Sequence, residues 1–134
     1  MGIYIFAVAA VLAAISISVL FKINIGKIKE QPEQASKVQT NFFIGVAISE
    51  AIPLILLIIG IMNVEAVSSI ELIYIPAIII ILTIVCASFF LFLQSKVDVV
   101  EDNKSSVTSF TAIGIAMVNA IPIIALVFLF TLTP

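Results

Sequence analysis

Four stretches dominate this chain: Ile3–Phe21, Phe42–Met62, Ile73–Leu93 and Phe110–Leu132. Each is almost wholly apolar and close to the ~20 residues that a helix needs to cross the hydrocarbon core of a bilayer. Of the 134 residues, 63% are hydrophobic and only 10% charged. A soluble domain of this length has too little interior to hide so much apolar surface, which sets the membrane class at once. Strands of a membrane barrel would show alternating segments of ~10 residues, and the runs here do not alternate. The pattern predicts an all-α membrane protein of four transmembrane helices, arranged as two tandem antiparallel hairpins. The first run lacks a basic leading region and continues past the length of a signal core, so it reads as the first membrane helix.

The charges give an orientation. All six lysines lie in two connectors, Lys22, Lys27, Lys29 and Lys37 in the first and Lys96 and Lys104 in the third, while the connector between runs two and three carries Glu65 and Glu71 and no base. The bias of basic residues to the inner face predicts that both Lys-bearing loops are cytoplasmic and both termini outside. Acids share those loops, so no polybasic patch for nucleic acid is expected. The lone cysteine, Cys86, lies in the third run and reads as a small lipid- or helix-facing residue; with no histidine in the chain, a transition-metal site is not expected.

Within the second run stands Glu50, roughly 12 Å from one end and 18 Å from the other at the rise of a helix. An ionised carboxylate at that depth costs at least about 2.5 kcal/mol, and intramembrane acids commonly mark an ion or substrate path. Pro53 follows three residues later, as Pro122 follows Asn119 in the fourth run, and each should bend its helix there. The fourth run repeats the pattern. A shift of 69 places Gly45 on Gly114, Ala47 on Ala116, Glu50 on Asn119, Ala51 on Ala120, Ile52 on Ile121 and Pro53 on Pro122. The chain is therefore predicted to be one hairpin used twice, residues 1–64 and 65–134, in parallel orientation. Asn119 cannot release a proton, so it reads as a lost second site that instead bridges helices by hydrogen bonds worth roughly 0.6–2 kcal/mol. The third run is the weakest copy, with Ile79, Thr83, Val85 and Ala87 where Ala10, Ala14, Ser16 and Ser18 stand in the first.

The stretch GKIKEQPEQASKVQTNFFIGVAISEAIPLI resembles the polar loop and second helix of the proteolipid, or c-type, component of F-type rotary ATP synthases. Gln31, Pro32 and Glu33 match the loop signature of that family, and Glu50 falls where the family has its ion-carrying carboxylate. Fusion of two hairpins with one acid is similar to the duplicated proteolipids of V-type ATPases. The resemblance implies a ring in the membrane, turned as ions bind to and leave the carboxylate against a stator a-type subunit, with the Gln31–Glu33 loop touching the central stalk. It implies a homo-oligomeric ring, or a mixed one with other c-type subunits, surrounded by membrane lipids in a bacterial cell membrane. The chain departs from the family in having Glu30 where an Arg usually precedes the Gln-Pro, and in a reduced ladder of small residues on the first helix.

Sodium-binding members supply a Gln on the first helix and a hydroxyl directly after the acid, positions held here by Ile17 and Ala51. A protonated acid needs only one or two hydrogen-bond partners, for which Ser16, Ser18 and Ser49 are candidates. The expected cargo is the proton rather than sodium, with no bound cofactor and no covalent chemistry in this chain. Two other readings of the same residues stand beside the rotor: a non-rotating structural or adaptor membrane protein descended from a proteolipid, and a small transporter using Glu50 as its relay.

Overall fold

A computed structural model describes residues 2–133. Its described residues form helices and the turns between them, with no strand. Helix α1 spans Tyr4–Glu30; α2, Ala35–Ser49; α3, Ala51–Asn63; α4, Glu71–Gln94; and α5, Glu101–Phe130. Because α2 and α3 meet at Glu50, they form a single spanning unit, and four units are long and apolar enough to cross a membrane. The architecture is the all-α, four-span one that the apolar runs predict.

The helices outrun the apolar stretches. α1 continues nine residues past Phe21, because Ile25 and Ile28 keep a buried face there while Lys22 and Lys27 stay exposed. It ends where Pro32 dictates. The residue before a proline is driven out of the helical region, and Gln31 has φ −135° and ψ 77°, after which Pro32–Gln34 make one tight turn into α2. The return between α4 and α5 has no proline. There Asp98 takes a positive φ of 55°, the conformation that lets a short polar side chain reverse the chain. Asn103 then closes the start of α5. Its Oδ1 accepts the Val100 N–H at 2.9 Å, and its Nδ2 donates to the carbonyl of Lys29 at 3.1 Å. Lys29 Nζ in turn donates to the carbonyl of Gln94, so the ends of α1, α4 and α5 are tied together on the lysine-bearing side.

α1 is the hub. It packs against α2 and α3 on one side and against α4 and α5 on the other, and neither α2 nor α3 touches α4. Ala9, Ala10 and Ala13 are fully buried along it, since small residues let membrane helices approach closely. Nearer the lysine-bearing end, Phe21 of α1 stacks on Phe110 of α5 with ring centres 5.1 Å apart, and Phe42 of α2 meets Phe110 edge-on at 4.9 Å. Offset stacks and edge contacts are the arrangements that aromatic quadrupoles favour, and these rings join three helices at one level. Outside this core the surface is largely Ile, Leu, Val and Phe, as expected of helices whose solvent is lipid.

Candidate functional site

Glu50 occupies the joint between α2 and α3. Its own backbone stays bonded, with its N–H to the Val46 carbonyl and its carbonyl to the Leu54 N–H, both at 2.9 Å. The irregularity comes from Pro53, which has no N–H to offer the Ser49 carbonyl and whose ring crowds that turn. The expected bend thus lies at the acid itself. Pro122, the repeat equivalent, stays inside an unbroken α5 that has neighbours on two sides.

The carboxylate is half-buried at the margin of a lipid-facing surface made by Ala47, Ile48, Ala51 and Ile52. Antiparallel contacts set its level on α1. Gly45 lies against Leu20 and Gly60 against Ile5, which puts Glu50 opposite Ile15 and Ser16. Ser49 is its chain neighbour and is half-buried. Ser16 is half-buried on α1, whereas Ser18 lines an apolar groove of about 660 Å³ between α1 and α4, to which α2 and α3 contribute nothing. Among the described residues, none of these three hydroxyls is hydrogen-bonded to Glu50. Ile17 is fully buried and Ala51 exposed, and neither carries an oxygen for a cation. At the membrane edge, Gln31 and Glu33 are exposed and Pro32 is half-buried, so the loop presents polar side chains outward.

Asn119 is placed differently. Its Nδ2 donates to Ser88 Oγ of α4 at 3.0 Å, and that hydroxyl lies 3.3 Å from Asn119 Oδ1. Ser88 escapes a reading by the 69-residue shift, which pairs it with Val19. Its signal is geometric: of the hydroxyls on α4, it is the one that an antiparallel α5 brings level with the amide. Asn103 was also missed as a polar anchor, though an amide in the first turn of a helix after a loop is a familiar capping signal.

A protein of four membrane-spanning units with a carboxylate at a helix joint inside one of them is what these elements define. Residues 1–63 match the family model that describes the C subunit of ATP synthase. Over 52 residues the chain is 40% identical to the ATP synthase c-type subunit of Alkalihalobacillus alcalophilus, covering 39% of this chain and 73% of that relative. No solved structure matches. The chain belongs to this ATP synthase proteolipid family, in a form with four spanning units. Membership of that family supports a rotor-ring role within a membrane complex.

Proposed function

We propose that the chain is a proton-translocating subunit of the rotor ring, with Glu50 as its reversible carrier and one such carboxylate for every four helices. The observation that carries this is the contrast between repeat equivalents. Glu50 stands at a helix joint on the lipid-facing side, its carboxyl without a hydrogen bond among the described residues, while Asn119 is spent on Ser88. A carboxyl in that position can be neutral while facing lipid and release its proton where a partner supplies water.

A proton suits the site better than sodium, because sodium requires several oxygen ligands and Ile17 and Ala51 supply none. Ser16 and Ser49 are the hydroxyls at the level of the acid, and Ser18 is turned toward α4. The complex would include a stator membrane subunit bearing the water path and a central stalk meeting the Gln31–Glu33 loop. With the lysine-bearing loops on the cytoplasmic side of a bacterial cell membrane, that loop faces the stalk. The ring would be built from this chain alone or together with other c-type subunits. The test is labelling of the assembled ring with a hydrophobic carbodiimide, read by mass spectrometry. One adduct per chain at Glu50, and none at the acids of the loops, is expected; no adduct at Glu50 overturns the reading.

A further inference from the structure

One face of α1 changes character along its length. Val11, Ile15, Ser18, Lys22, Gly26 and Lys29 follow one another at intervals of three or four residues, the spacing that keeps side chains on one side of a helix. The first three line the apolar groove of about 660 Å³ between α1 and α4. The last two line a polar pocket of about 520 Å³ between α1 and the α4–α5 turn, together with Glu30, Gln94 and Asp98. Lys22 borders both cavities, at the point where they meet. α4 supplies the facing wall in the same order, with Thr83, Ala87 and Phe90 along the groove and Gln94 at the pocket. No residue of α2 or α3 lines either cavity, so this feature is separate from the Glu50 site.

The groove has the depth of one leaflet. Val11 to Lys22 is a rise of roughly 16 Å, close to half of a hydrocarbon core ~30 Å thick. Val11 stands near the middle of the first apolar run, and Lys22 is the first charge beyond it. Towards the termini the two walls close, since Ala9, Ala10 and Ala13 of α1 share one buried cluster with Ile73, Ala77 and Ile80 of α4. A spanning helix needs a seat through both leaflets, so a helix of a second copy does not match a groove that closes halfway. A single acyl chain does, being unbranched, apolar and as long as a leaflet is deep.

The pocket above it carries charges of both signs. Lys29 Nζ is taken up by the carbonyl of Gln94, whereas Lys22 is exposed and has no hydrogen-bond partner among the described residues. Glu30 and Asp98 are exposed carboxylates on the same pocket. A Cβ added at Gly26 would meet nothing within 4 Å, so the space beside Lys22 is open. A headgroup with one phosphate and one primary ammonium answers this pattern. Its phosphate accepts from Lys22 and its ammonium donates to the two carboxylates, each a charge-assisted bond. A purely anionic headgroup would leave those acids facing like charge.

We propose that groove and pocket together seat one phospholipid of the leaflet on the lysine-bearing side. Its acyl chain lies between α1 and α4, and its phosphoethanolamine headgroup rests on Lys22, Glu30 and Asp98. Glu30, the acid that stands where the family usually has an Arg, thereby gains a partner.

The test is native mass spectrometry of the assembled protein, delipidated in mild detergent and titrated with phosphatidylethanolamine or phosphatidylglycerol. One phosphatidylethanolamine per chain should be retained at concentrations where phosphatidylglycerol is not. Lys22→Gln, at an exposed position, should weaken retention about five- to tenfold, the factor for one charge-assisted hydrogen bond at a partly wet site. Glu30→Gln combined with Asp98→Asn should remove the preference between the two lipids. Val19→Phe, on the exposed margin of the groove, should obstruct the acyl chain and lower retention of both. Equal retention of the two lipids by the unsubstituted protein overturns the headgroup assignment. Retention indifferent to Lys22→Gln and Val19→Phe overturns the seat, and so does absence of retained lipid, the result expected if a protein segment fills the groove.

Discussion

Asn119 and Ser88 hold one another across α5 and α4 at 3.0 Å, at the place in the second hairpin where the first has the Glu50 carboxyl. An amide in a membrane has to find a partner, and once found that partner fixes it. The same position therefore differs between the copies: in one it ties a pair of helices, and in the other it holds a titratable group at a helix joint. Replacing Asn119 by Ala should weaken the packing of α5 on α4 by roughly 0.6–2 kcal/mol. Thermal unfolding in mild detergent would show a lower midpoint, and the Glu50 adduct should still form.

The close approach of α5 to α1 depends on a missing side chain. Gly114→Ala would place a Cβ 2.5 Å from the Phe21 ring, which stacks on Phe110 and has little room to retreat. Overpacking of this kind costs typically about 1–3 kcal/mol. Gly26→Ala is the control, since nothing lies within 4 Å of its added Cβ, and it should stabilise α1 by up to about 1 kcal/mol through helix propensity. Denaturation of the two variants, followed by circular dichroism, should move in opposite directions.

Asn103 joins the two hairpins from a site 2% exposed, through bonds to the Val100 N–H and the Lys29 carbonyl. Asn103→Ala leaves both groups without that partner and should cost about 1–3 kcal/mol. Faster amide exchange at Val100 and at the start of α5, with the spanning segments unchanged, is the expected signature.

Pro53 stands three residues past a helix joint, whereas its equivalent Pro122 lies inside an unbroken α5. Pro53→Ala returns an N–H to the Ser49 carbonyl and should merge α2 and α3 into one straight helix. Amide exchange at residue 53 should then be protected as in its neighbours, and ATP-driven proton uptake should slow.

Much of this was written plainly in the chain. The four spans follow from apolar length, the first return from Gln31–Pro32, and the helix break at Glu50 from the proline three residues on. The helix ends were less legible, because Lys22 to Lys29 can extend α1 past the lipid while their stems and the Ile residues between them still pack. Ser88 was hidden for a different reason. The outer helices keep the 69-residue spacing through their shared Gly, Ala and Pro, whereas α4 has no such residues to declare its register against α1. Only the contacts of Gly45 and Gly114 reveal it. The helix break at Glu50 lies where Pro53 removes a bond, whereas Pro122 lies in an intact helix; the two share Ala-Ile-Pro but differ in the two residues before it and in packing on one side against two.

The central claim is that Glu50 carries the transported proton. It is tested most directly by Glu50→Gln in the complete complex reconstituted into vesicles, with ATP-driven acidification followed by a pH-sensitive dye. Glutamine keeps the size and hydrogen-bonding capacity of the protonated acid but cannot ionise. The account predicts a ring that assembles normally and vesicles that show no coupled proton uptake. Full uptake by the Glu50→Gln complex would contradict it.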